Sequence, residues 1–203
     1  MSRTKIQFSP KELALIVNSD WILTKNRIME KTAAWLEEIK TAYNTVLLTH
    51  PAAHAPLINA AGYKISKGEN YRGLPWLMLD YPRIFGKEDT MAIRTMFWWG
   101  QYFSITLHLS GDWKKKTAAN IIQGLDRLQK EEFRLAVGHQ QWDHHFEQDN
   151  FGSLTGLNRE EAIRIITEKP FLKIGKHYPL QEWEQVPEWM AKDFTTLVKL
   201  SGI

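Results

Sequence analysis

The sequence predicts an α+β fold in one globular domain over residues 1–203, with a central antiparallel sheet of three to five strands covered mainly on one side by helices. Three observations lead there. Helical patterns occupy both ends of the chain while strand patterns cluster between about residues 63 and 108, an order that argues against a doubly wound sheet. Hydrophobic content of 43% and charged content of 24% are ordinary for a folded globule. A length of 203 residues suffices for one hydrophobic core.

Ser9-Pro10-Lys11-Glu12 sets a capping hydroxyl, a proline at the first helical position and a glutamate at the third, opening a helix to about Asn18. From about Thr24 to Leu48, Ile28, Thr32, Trp35, Leu36, Ile39, Tyr43, Val46 and Leu47 recur at helical spacing, making one apolar stripe to bury against the sheet. Residues 49–62, with Pro51, Pro56 and Gly62, read as a loop with at most a short helix. Tyr63 to Ser66 reads as a short edge strand, and Leu74 to Tyr81 as a stronger one ended by Pro82, which has no ladder donor.

A hairpin follows over Ile93 to His108, with Gly100-Gln101 as a two-residue turn in which glycine takes the first central position. That register sets Trp99 opposite Tyr102, Phe97 opposite Ser104, Thr95 opposite Thr106 and Ile93 opposite His108. Arg94, Met96, Trp98, Phe103, Ile105 and Leu107 then form the core face.

Asp112 can cap a helix from about Trp113 to Val137, stopped by Gly138 and weakened at Gly124 by about 1 kcal/mol relative to alanine. With the first long helix it forms the expected pair covering the sheet. Residues 138–157 lack a period and read as irregular with short strand content. Asn158-Arg159-Glu160-Glu161 opens a helix to about Lys169, ended by Pro170. Phe171 to Tyr178 is a strand or extended arm, and Pro187 opens a final helix carrying Trp189, Phe194, Leu197 and Val198.

Composition removes several function classes. The absence of cysteine excludes disulfides, thiol nucleophiles, iron-sulfur clusters and cysteine-ligated zinc. Neither GxGxxG nor GxxxxGK[ST] occurs, and no cofactor is expected. The N-terminal residues lack the apolar core of a secretory signal and no stretch approaches about 18 apolar residues, so a cytoplasmic protein without a membrane partner is expected. A formal charge of +3, from 26 basic and 23 acidic residues, permits nucleic acid without indicating it. Lys114-Lys115-Lys116 lies in a first helical turn, where the macrodipole disfavours it; a phosphate surface or a solvated cluster accounts for it.

Nine tryptophans mark core and pocket walls: Trp35, Trp98 and Trp189 fall at core spacing, whereas Trp76, Trp99, Trp142 and Trp183 do not. His108 shares a face with Thr106, but along one strand Ser104 is roughly 13 Å from it, too far for a nucleophile-base dyad. Any partner comes from a neighbouring strand or loop. The segment Glu69 to Arg83 supplies Arg72 and Asp80, and Asp80 can hold Arg83 or Arg94 in a charge-assisted fork suited to a carboxylate or phosphate.

The leading expectation is a domain that binds a small anionic or aromatic ligand, or a protein partner. Its site would use Arg72, Asp80, Arg94, Thr106 and His108, with Trp99 and Tyr102 flanking. The alternative is a metal-dependent hydrolase built on His139, Asp143, His144, His145, Glu147 and Asp149. On a helix, His139, Asp143 and Glu147 would share one face, as would His145 and Asp149. No recognised metal motif occurs there, and the sequence leaves oligomeric state open.

Overall fold

The computed structural model describes residues 6–49 and 61–202, so most of the expected loop at 49–62 lies outside the described residues. Among the described residues its α+β architecture contains six α-helices and one seven-stranded antiparallel sheet, which corrects the expected three to five strands upward. The helices are α1 (Pro10–Ile16), α2 (Ser19–Thr49), α3 (Gly111–Gln123), α4 (Leu125–Lys130), α5 (Arg159–Glu168) and α6 (Val186–Ser201). The strands are β1 (Lys64–Tyr71), β2 (Leu74–Phe85), β3 (Thr90–Trp98), β4 (Tyr102–Ser110), β5 (Arg134–Ala136), β6 (Phe151–Ser153) and β7 (Phe171–Pro179), in the spatial order β1-β2-β3-β4-β7-β5-β6.

One sheet face carries the helices. α2 lies on β2 and α6 on β4, with α6 packed against both α2 and α3, so the expected covering pair gains a third member between them. Leu36, Ile39, Tyr43 and Leu47 of α2 are buried there, as their spacing predicts. Tyr43 stacks on Phe194 with ring centroids 3.8 Å apart and shares a hydrogen bond with Thr95 at 3.0 Å.

The capping readings at Ser9 and Asn158 hold. Ser9 Oγ accepts from the Glu12 amide and the Glu12 carboxylate accepts from the Ser9 amide, completing the box. Asn158 Oδ1 accepts from the Glu161 amide at 2.8 Å, so Asn158→Ala is expected to cost about 1 kcal/mol, read as a lowered urea midpoint. Asp112 does not cap α3. The N-cap is Ser110, and the orphan amide of Asp112 donates instead to Asp89 Oδ1 at 2.7 Å, a cap supplied from the β2–β3 turn.

The predicted helix over 113–137 divides. Gly124 ends α3 and begins α4, and a Cβ there would lie 2.5 Å from Leu200 Cδ2, so the break lies directly against α6. The chain then re-enters the sheet as β5, which no helical pattern over that span anticipates. Pro82 does not end its strand either; β2 continues to Phe85, with the register shifting between Asp80 and Arg83 so that Pro82 sits where no ladder bond is required.

The lysine run has local partners. Lys114 is buried, its ammonium donating to the carbonyls of Thr167 and Lys169 at the end of α5. Lys115 pairs with Asp112, and Lys116 lies over the Trp113 ring.

Candidate functional site

The β3–β4 hairpin is confirmed as a hairpin and corrected in register. Trp98 pairs with Tyr102, Met96 with Ser104, Arg94 with Thr106 and Ala92 with His108. The loop has three residues, Trp99, Gly100 and Gln101, and the Gln101 amide donates to the Trp98 carbonyl at 3.1 Å. Gly100, at φ 70°, occupies the second central position of that turn, where type II geometry requires positive φ, rather than the first. One residue of slip inverts the faces of β3 alone. Ile93, Thr95 and Phe97 therefore join the helix-covered core, whereas Arg94, Met96 and Trp98 turn to the side of His108. Trp99 packs in the helix-side cluster against Phe97 and does not flank His108.

On that second face the strands align functional side chains in rows. One row is Asp80, Arg94, Thr106 and Gly175 across β2, β3, β4 and β7; the next contains Ala92, His108 and Lys173. Arg94 is thus a diagonal neighbour of His108, and Lys173 stands directly beside it. Arg94 Nε donates to Asp80 Oδ1 at 2.7 Å and Nη2 to Oδ2 at 3.3 Å, the fork the sequence anticipates.

Residues 137–150 cover this face as an irregular strap. Gly175 lets it descend: a Cβ there would sit 2.7 Å from the Ile105 carbonyl and 2.9 Å from the Phe146 ring. The phenol oxygen of Tyr71 accepts from the amides of His144 and His145, at 2.7 and 3.0 Å, and that of Tyr102 accepts from the Phe146 amide at 2.8 Å. Lys173 donates to the Asp143 carbonyl, and Lys169 to those of Val137 and Gly138. Tyr102 therefore anchors the strap and does not wall an open pocket.

The enclosed group is rich in nitrogen bases. His108 is fully buried, with the edge of Trp142 at 5.1 Å between ring centroids. Arg94 lies between Phe85 and Trp142, its guanidinium 5.6 and 5.5 Å from their centroids. Burial, then the neighbouring Lys173 and Arg94, push His108 down to about 3; the Gln141 side chain opposes this weakly without reaching hydrogen-bond geometry. His144 is held well below the usual imidazole range, first by burial and then by Arg94 and Lys173. Lys173 falls to about 7, mainly through burial and then through Arg94, a value suited to an amine that gains or loses its proton near neutrality.

No family model, curated protein or solved structure matches this chain. The chemistry of the site therefore rests on its own geometry.

Two features define that chemistry. Arg94 Nη1 and both ring nitrogens of His108 are buried without a hydrogen-bond partner. The space among Met78, Arg94, Met96, Ser104, Thr106 and His144 is only about 10 Å³, room for a water at most. Anything larger has to lift the strap, whose Trp142 is 49% exposed.

Arg72 lies elsewhere. With Gly73 it forms the two-residue turn between β1 and β2, both residues at positive φ, and reaches from that tip to Glu147 at 3.3 Å and Asp149 at 3.8 Å. The stretch is irregular, as its lack of a period predicts, so the face that His139, Asp143 and Glu147 would share on a helix does not form. His145, Glu147 and Asp149 instead bring ligand-type atoms within 4.8 Å of one another. His145 Nδ1 is engaged by the Tyr71 hydroxyl at 2.9 Å and Nε2 by Asp149 at 3.2 Å, while Arg72 supplies positive charge to both carboxylates. Both ring nitrogens of His145 are thus engaged from within the chain, while the Glu147 and Asp149 carboxylates remain half or more exposed.

Sequence reasoning missed Lys173. Its signal was available: in β7, Phe171, Lys173, Gly175 and His177 alternate with Leu172, Ile174, Lys176 and Tyr178. A lone strand glycine between two basic residues on one face marks a place where another backbone comes close.

Proposed function

We propose that this protein binds a small anion, a carboxylate or phosphate carried on a compact organic body, beneath the 137–150 strap. The observation that carries the reading is the set of buried, unpartnered nitrogens of Arg94 and His108. Arg94 offers Nη1 as a charged donor beyond the fork it gives Asp80. Neutral His108 offers one donor and one acceptor on opposite sides of its ring, so a ligand with an anionic oxygen on Arg94 Nη1 and a hydroxyl on one ring nitrogen would satisfy two of the three atoms. Lys173 adds positive charge in its protonated form, and the rings of Phe85 and Trp142 flank the guanidinium, replacing Trp99 and Tyr102 in the role the sequence suggests.

Calorimetric titration with inorganic phosphate, acetate, glycolate and benzoate tests this directly. At least one is expected to bind saturably and to quench the fluorescence of Trp142. Arg94→Lys keeps charge opposite Asp80 but loses the Nη1 donor, and is expected to weaken binding about tenfold. No saturable binding by any of the four anions, or equal binding by Arg94→Lys, would remove the proposal.

A further inference from the structure

The N-terminal arm, residues 6–28, is a separate problem from the anion site. α1 buries no side chain, and the first buried residue of α2 is Leu36. Phe8, Leu13, Ile16, Val17, Trp21 and Ile22 are all exposed, Val17 by 74% and Phe8 by 66%. A seven-residue helix has no stability of its own in water, where isolated helices shorter than about 12 residues are marginal. Its capping box and Pro10 favour the helical start but do not supply the missing packing.

A groove lies on the same side of the sheet as α2. Ile28, Trp35, Phe97, Phe103 and Trp183 are among its lining residues, and its volume is about 320 Å³. Trp21, Ile28 and Trp35 are spaced by seven residues along α2, so one stripe runs from the exposed arm into the groove. Trp35 Nε1 is buried there without a hydrogen-bond partner. Among the described residues the chain thus carries an exposed apolar arm and, continuous with it, an apolar groove.

We propose that two copies of this chain associate through this surface, the arm of each copy entering the groove of the other. Arm and groove are two patches of one polypeptide, and the reciprocal exchange, each arm in the other copy's groove, is the arrangement that closes under a two-fold axis. The exposed apolar side chains of the arm amount to roughly 800 Å², about what each partner contributes to a standard interface. The arm bears both charge signs, with Lys11 and Glu12 on α1 and Asp20 and Arg27 on α2. Such mixing suits a copy of the same surface better than an anionic lipid layer, which selects a uniformly basic face.

Sedimentation velocity on the full chain tests the proposal. A dimer is expected at concentrations of about 1–100 µM. The triple variant Phe8→Ser, Leu13→Ser, Ile16→Ser alters only side chains that are exposed among the described residues, and should be monomeric with its thermal unfolding midpoint as a monomer retained. Trp183→Ala, in the groove, should weaken association at least about tenfold. A native chain that stays monomeric at the highest concentration overturns the proposal, as does a dimer that survives the triple variant. Binding of the monomer to vesicles of phosphatidylcholine and phosphatidylserine would likewise overturn it, assigning the arm to a membrane surface. None of these outcomes depends on whether an anion binds under the strap.

Discussion

Replacing Asp80 with alanine is expected to destabilise the protein by about 3–5 kcal/mol, measured as the change in unfolding free energy from urea titrations. Asp80 is 3% exposed, and its carboxylate receives two donors from a guanidinium that is itself largely enclosed. Lys173 and Arg94 both press against His108 and His144, so the region already carries an excess of positive charge. Removing its carboxylate leaves Arg94 charged, desolvated and without a counter-ion. The double variant Asp80→Leu, Arg94→Met removes charge and counter-charge together and is expected to recover most of that loss, since apolar replacement of a buried pair is often nearly neutral. If Asp80→Ala cost less than about 1 kcal/mol, water would be reaching the guanidinium, and the enclosed site that the anion proposal requires would not exist.

How much of this was legible differs from element to element, for physical reasons. The amphipathic stripe of α2 and the capping signals at Ser9 and Asn158 depend on neighbours three or four residues away, and local pattern finds them. Alternation in β4 was also correct: Tyr102, Ser104, Thr106 and His108 do share a face. The error lay in the turn. Trp98-Trp99-Gly100-Gln101 allows glycine at either central position, and only the burial of Trp98 against Met78 and Met96 selects between them. That choice moved Arg94, already among the expected site residues, to the face of His108 and took Trp99 off it. Gly124 shows the same dependence on distant structure, because Leu200 of α6 presses on it from across the fold. The position of β7 between β4 and β5, which delivers Lys173, is a matter of topology that no local pattern encodes.

Acid should destabilise this protein steeply, and His108 supplies much of the effect. In the folded chain burial holds the imidazole neutral until about pH 3, whereas in the unfolded chain it takes a proton near 6.5. Between those values the unfolded state binds the extra proton, so stability falls as pH falls, by about 1.4 kcal/mol per pH unit for this group alone. His144, lowered in the same direction by the same causes, adds to the slope. The window from pH 6.5 to 5 lies above the usual range of carboxylate titration, and the loss from His108 across it is expected to be about 2 kcal/mol. His108→Gln, which cannot titrate, should remove that part of the slope while leaving the contribution of His144; an unchanged slope would mean that the ring reaches solvent. A bound anion reverses the logic locally, because a negative oxygen beside His108 favours the imidazolium. Under saturating ligand the slope should therefore flatten, and affinity should rise as pH falls, so that the pH dependence of folding and of binding report on one imidazole from opposite sides.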